Sequence, residues 1–353
     1  MSGFISETYR SLVPYEPGEQ PKIVDLIELN TNESPFPPSP AAIAEGEKEL
    51  RRSELYPDPE CVRLREAIAE NLGGGITKEE IFVGNGSDEV LFLAFNAYKD
   101  NGFAFPDITY GFYPVYAAIA GAAFREIPLK EDFSIDFAAL KRAKGTVVVA
   151  NPNAPTGIFA PLSEIVDLVE SDPSRVVVVD EAYVDFGGES AARLIKKYEN
   201  LLVTRTFSKS RSLAGARLGF GVANAAIVRD LNLLKYSINP YNVNRVTAAM
   251  GFGALKDEAY TLANCASIQR NRERLAREIA AFGFSSLPSR ANFLFVRHER
   301  LSGEEIYRAL REKRILVRYF NKERLLPFVR ITIGNEEQTQ ALIDALRRIT
   351  EEI

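Results

Sequence analysis

The segment RVVVVDEAYVDF ends an apolar, β-branched run on a carboxylate, Asp180. A carboxylate at the end of a buried strand is costly unless a cation meets it. A protonated pyridine nitrogen is such a cation, and the pair would keep a ring positively charged as an electron sink. Taken alone, a helix-capping or ion-paired aspartate is the simpler reading. Tyr183 follows three residues later and can present its hydroxyl to the same ligand. A second run, LLVTRTFSKSRSLAGARLGF, sets Lys209 just past a strand, between two serines and close to Arg205 and Arg217. Burial and neighbouring cations lower an ammonium pKa, which is what imine formation requires. Ser208 and Arg217 bring a hydroxyl and a guanidinium suited to a phosphate group. Arg211 finds no role and reads as a solvated surface charge. In VGNGSDEV, Gly84 and Gly86 permit a sharp turn, and Ser87 and Asp88 open a helix whose first amides suit a phosphate. That motif half resembles a dinucleotide fingerprint, but Glu89 stands where its third glycine belongs.

Each of these motifs follows a run that reads as a strand: IFV, TVVVA, RVVVVD and NLLVTRT. Continuous β-branched runs separated by helical stretches predict a largely parallel sheet covered on both faces. Ligands of such sheets sit beyond the strand ends, so one shared site is expected. PECVRLREAIAENLG carries helical spacing and stops at Gly73, and a long helix is expected from Glu258 to Phe282. After Pro288 the strands ANFLFVR, ILVRYF and FVRITIG alternate with two helices in a smaller α/β lobe. The expected division is an arm over 1–45 that joins the small domain, a large domain over 46–245 and a small domain over 246–353.

With 353 residues, 46% of them hydrophobic and 26% charged, the chain has the make-up of a soluble globular protein with more than one lobe. No apolar run approaches the roughly 20 residues that span a bilayer, and MSGFISETYR lacks the features of a signal peptide, so a cytoplasmic protein is expected. Cys61 and Cys265 are far apart, and His298, the one histidine, sits in the charged stretch RHER and reads as a surface residue. That leaves no metal site and no Ser-His-Asp triad. A net charge of −5 argues against a nucleic-acid partner.

Over nearly its whole length the sequence resembles the fold-type-I pyridoxal-phosphate aminotransferases, and among them the group that acts on histidinol phosphate. The resemblance is carried by VPYEPG, LNTNESPFPPSP, YPDPECVRLREAIAENLG, VGNGSDEV, DITYGFY, NPNAPTG, VVDEAYVDF, TRTFSKSRSLAGARLGF and VRITIG. It implies an α/β fold with a mostly parallel central sheet flanked by helices, plus a smaller α/β domain. Pyridoxal 5′-phosphate is the implied cofactor, linked to Lys209 as a Schiff base, and Lys209 is the implied base for proton transfer. Asp180 is implied to hold the pyridinium nitrogen, Tyr183 the ring hydroxyl oxygen O3′, and Tyr110 a ring face. Gly86, Ser87, Asp88, Ser208 and Arg217 are implied to surround the cofactor phosphate. Tyr56 is implied to reach the phosphate of a second subunit in a homodimer with shared sites. Arg330, Arg318 and Tyr15 are implied to grip the substrate. One departure stands out: Ala154 occupies the place where the family usually carries an asparagine that bonds O3′, and Asn153 is the available substitute.

The implied reaction is amino transfer between L-histidinol phosphate and 2-oxoglutarate, giving imidazole acetol phosphate and glutamate. A threonine-phosphate decarboxylase or an aromatic amino acid aminotransferase shares these motifs. A non-enzymatic regulatory module fits least, because Lys209 and Asp180 are both retained and no residues remain for an added DNA-binding domain.

Overall fold

A computed structural model describes residues 2, 4–10, 12–15, 17–19 and 25–352. Its centre follows from the valine runs. Side chains alternate across a strand, so Val147, Val149, Val177, Val179, Leu201 and Val203 enter one core. Val148, Val178 and Leu202 enter the core on the opposite face. Both faces being dry, the expected polar alternation never shows in the sequence.

The chain forms β1 (Ile27–Leu29), β2 (Ile81–Asn85), β3 (Phe103–Pro106), β4 (Phe124–Ile127), β5 (Thr146–Ala150) and β6 (Val177–Asp180). It continues with β7 (Leu201–Thr206), β8 (Leu218–Ala223), β9 (Phe284–Ser286), β10 (Phe293–His298), β11 (Ile315–Tyr319) and β12 (Phe328–Thr332). The large sheet runs β2-β8-β7-β6-β5-β3-β4. It is parallel except at β8, which is antiparallel to both of its neighbours. The mostly parallel sheet expected from the sequence is therefore present.

A smaller sheet runs β1-β11-β12-β10-β9. Its first strand comes from the N-terminal segment and pairs parallel to β11, while the other pairings are antiparallel. Arg318 and Arg330 face each other across β11 and β12. The expected helices form at Val62–Leu72, which stops at Gly73 with φ 63°, and at Glu258–Ala280. Helices Gly303–Glu312 and Glu336–Glu351 each begin with a capping box, Ser302 with Glu305 and Asn335 with Gln338.

His298 corrects a sequence expectation. It is buried, not superficial: Nδ1 accepts the backbone N–H groups of Arg300 and Leu301, and Nε2 donates to the Phe282 carbonyl. The imidazole closes a turn at the end of β10, and the charged residues around it misled the reading. Among the described residues no helix is long and apolar enough to cross a membrane, and no group of acidic, cysteine or histidine residues is disposed to hold a metal.

Candidate active site

The polar residues gather where β6 and β7 end, between the two sheets. Asp180 is the last residue of β6. Its Oδ2 accepts the Tyr113 hydroxyl at 2.9 Å and its Oδ1 the Ala182 N–H at 3.2 Å. Burial pushes its carboxyl up to about 6, against these two donors, so the site favours a cation beside it. Thr204 pairs with Asp180 across β6 and β7, and its buried hydroxyl works in the same lowering direction on the carboxyl.

Lys209 leaves the sheet three residues after β7. The loop that carries it is clamped on several sides. Phe207 N–H donates to the Leu218 carbonyl at 2.9 Å, and the Ser212 hydroxyl donates to Ser34 Oγ at 2.8 Å. Asp185 takes the Ser210 hydroxyl and pairs with Arg205. Arg211 also belongs to this clamp, which overturns its reading as a surface charge. Its guanidinium is buried and reaches the Ala254 carbonyl at 3.2 Å, Glu258 at 2.8 Å and Asn71 at 3.2 Å. Nζ of Lys209 donates to the Thr31 carbonyl at 3.1 Å. Burial first, then the positive charges of Arg330 and Arg217, pull its ammonium down to about 8 against the opposing pull of Glu33 and Asp88.

The turn after β2 meets β8 closely. A Cβ on Gly219 would lie 2.2 Å from the Ser87 nitrogen, and one on Gly86 (φ 77°) would lie 2.8 Å from Arg217 Nη2. Only glycine fits both positions, and the result leaves the first amides of the helix Gly86–Ala97 beside the Arg217 guanidinium. Ser208 is buried, and its Oγ lies 2.9 Å from Thr206 Oγ1, which also reaches the Leu218 carbonyl at 3.3 Å. The Asp88 carboxylate pairs with Arg217 at 2.9 Å and accepts the hydroxyls of Tyr110 at 2.7 Å and Tyr116 at 3.2 Å. Asp88 can therefore offer an anion its backbone N–H but not its side chain.

On the other side of Lys209, Tyr183 stands edge-on to Phe293, with ring centroids 5.0 Å apart. Its hydroxyl oxygen accepts Asn32 Nδ2 at 3.0 Å. Arg330 donates to the Asn30 carbonyl at 2.7 Å, and its buried Nε has no hydrogen-bond partner. Arg318 donates to the Pro17 carbonyl at 3.1 Å. Tyr15 stacks on Phe112 at 4.2 Å and lies 6.1 Å from the Tyr110 ring. Tyr15 and Arg318 both lie within electrostatic reach of Arg330, which ties the arm to this cluster.

Two expected residues behave differently. Asn153 cannot stand in for the asparagine absent at Ala154. Both its amide protons are committed, to the Ile108 carbonyl at 2.9 Å and Thr156 Oγ1 at 3.2 Å, and its Oδ1 accepts from Thr109 at 2.8 Å. Tyr56 lies away from the cluster, 77% exposed and stacked on Tyr241 at 4.6 Å. Sequence reasoning missed Tyr113, Thr206 and Asn32. Tyr110, Tyr113 and Tyr116 recur at helical spacing, which was a usable signal. Thr206 and Asn32 announced themselves by nothing in their spacing.

A lysine of lowered pKa, a buried carboxylate and a close glycine-lined turn beside a guanidinium come together in this chain. Residues 24–346 match the model of the family "Aminotransferase class I and II", and the chain belongs to that family. It is 48% identical over 357 residues to histidinol-phosphate aminotransferase 2 of Dechloromonas aromatica, covering 99% of this chain and 100% of that one. It is 47% identical over 351 residues to histidinol-phosphate aminotransferase 1 of Bradyrhizobium diazoefficiens, with 99% and 100% covered. The fold matches the crystal structure of histidinol-phosphate aminotransferase from Sinorhizobium meliloti in complex with pyridoxal-5′-phosphate. The TM-score there is 0.87 at 24% identity, over 100% of this chain and 99% of the other.

Proposed function

We propose that this protein is a pyridoxal-phosphate-dependent aminotransferase that moves an amino group from L-histidinol phosphate to 2-oxoglutarate, giving imidazole acetol phosphate and glutamate for histidine biosynthesis. The observation that carries the reading is that Arg330 lies within electrostatic reach of both Lys209 and Tyr183, that Tyr183 is likewise near Asp180, and that Arg318 faces Arg330 across β11 and β12. The two full-length relatives bear this activity in their names.

The residues fit the cofactor. The cradle of Gly86, Ser87 and the Asp88 amide, with Ser208 and Arg217, suits its phosphate. Asp180, raised to about 6 by burial, suits a protonated ring nitrogen, and Tyr113 holds it in place. Tyr183 is the donor to the ring hydroxyl oxygen and Tyr110 the aromatic neighbour of the ring. When bound, pyridoxal phosphate supplies a carbonyl for the substrate amine and a ring that withdraws electrons from the reacting carbon. Lys209 is the anchor. As a free amine, its Nζ would be the base that takes the proton from the substrate Cα and the acid that gives it back. A pKa near 8 leaves a useful fraction of neutral amine at physiological pH. Arg318, Arg330 and Tyr15 bind the substrate's anionic group. Two guanidiniums suit a phosphate dianion.

Tyr56 belongs, in this reading, to the cofactor site of a second copy of the chain, with the active sites shared in a homodimer. Leu50, Leu55, Tyr56, Leu233, Ile238 and Tyr241 are all exposed in one protomer, which supports such an interface. The division into an arm over 1–45, a large domain over 46–245 and a small domain over 246–353, and a cytoplasmic setting, complete the proposal. The test is turnover with 2-oxoglutarate and three donors: histidinol phosphate, threonine phosphate and phenylalanine. The expected result is that histidinol phosphate has the highest kcat/KM. Preference for phenylalanine, or carbon dioxide release from threonine phosphate, overturns the assignment.

A further inference from the structure

Ala154 leaves an apolar corner where it packs with Ala291 and Phe293 against Tyr183. Tyr183 is then the remaining donor toward the ring hydroxyl, and the direction of its single proton decides whether it serves. That proton has two places to go: toward the cleft or back toward Asn32.

Asn32 is held with unusual completeness. It is 1% exposed, and its backbone carbonyl accepts Asn292 Nδ2 at 3.0 Å. Its N–H donates to Thr332 Oγ1 at 3.0 Å, and Thr332 returns its own proton to Asn32 Oδ1 at 3.0 Å. With the amide turned the other way the threonine proton would lose this acceptor, so the orientation is set by the network. The NH2 end therefore faces Tyr183 and donates to its hydroxyl oxygen at 3.0 Å. An amide NH2 cannot accept, so the tyrosine proton has no acceptor in Asn32.

We infer that Asn32 is a positioning residue: its amide occupies the Tyr183 oxygen and turns the Tyr183 proton into the cleft, where it serves as donor to the cofactor's ring hydroxyl oxygen in place of the family asparagine absent at Ala154. The inference rests on the proposed function. Donation by Asn32 also polarises the phenol and strengthens it as a donor. A stronger donor at the ring oxygen weakens that oxygen's hold on the proton shared with the Lys209 nitrogen. The charged or titratable groups facing Tyr183 are Arg330, Asp180 and Tyr15, and those facing Lys209 are Arg330, Arg217, Glu33 and Asp88.

The experiment is a pH titration of the visible absorbance of the cofactor-loaded enzyme. Asn32 has φ 56°, a conformation glycine adopts without strain, so Asn32→Gly removes the amide and spares the backbone. Its absorbance pKa is expected to rise by about half a unit. Asn32→Asp, which accepts the tyrosine proton, should raise it further and serves if the glycine variant does not fold. In a Tyr183→Phe background, Asn32→Gly should produce no additional shift. An unchanged or lowered pKa in Asn32→Gly, or the same shift with Phe at 183, overturns the inference. A wild-type protein that gains no pH-dependent visible band on adding pyridoxal phosphate would instead sink the proposed function.

Discussion

At Lys209, burial acts first and Arg330 second, and both push the ammonium pKa the same way, to about 8. A lowered amine pKa means that the neutral, nucleophilic form is gained as pH rises through about 8 instead of through the usual range near 10.5. The rate at which the cofactor-free protein captures pyridoxal phosphate should therefore rise with pH around that midpoint. Arg330→Gln removes a positive charge and should move the midpoint upward by about half to one unit, read from stopped-flow absorbance. A midpoint that stays put or falls would show that Arg330 does not act on Lys209. Asp180 was legible in the sequence because it ends an apolar strand, where an ionisable group stands out, and Lys209 because it follows a strand within three residues, between two serines. Arg211 and His298 were not, because charged sequence neighbours hid contacts made by distant residues. Asn153 looked like a substitute donor until its two amide protons were accounted for.

At the scale of elements, the anion cradle depends on how closely β8 passes the turn after β2. Gly219→Ala would drive a methyl into the Ser87 nitrogen and the Gly86 carbonyl carbon, 2.2 and 2.4 Å away, and backbone cannot step aside cheaply. Overpacking of this kind costs about 1–3 kcal/mol. The variant should melt lower and bind pyridoxal phosphate at least about tenfold more weakly. Gly215→Ala is the control, since nothing lies within 4 Å of its Cβ position. Equal cofactor affinity in the two variants would contradict the close approach as the basis of the cradle. The strands β5, β6 and β7 could be read from the sequence because both their faces are buried and valine fills them. β4 is an edge strand with mostly exposed residues, and β8 carries two glycines in LGFGVA, so neither shows a strand-like pattern.

At the scale of the molecule, the site is assembled from residues far apart in the chain. Thr31 meets Lys209, and Asn32 meets both Tyr183 and Thr332, contacts that no local spacing encodes. Without the family resemblance the sequence alone would have placed the cofactor end of the site and missed how the N-terminal segment closes it. The resemblance also supplied Tyr56, which is exposed and which the proposed shared site would cover with a second copy. Mixing Tyr56→Phe chains with Lys209→Ala chains puts both functional residues in one site of the mixed dimer and neither in the other. Activity above that of either parent is expected after verified subunit exchange. No recovery would count against shared sites.

The most direct test of the account is borohydride reduction of the cofactor-loaded protein, followed by peptide mapping, with and without prior excess L-histidinol phosphate. Without the donor, the pyridoxyl label should sit on Lys209. With the donor, the label should be lost from Lys209, because the substrate amine has displaced it and passed its nitrogen to the cofactor. A label on any other lysine, or one retained on Lys209 regardless of the donor, would contradict the account.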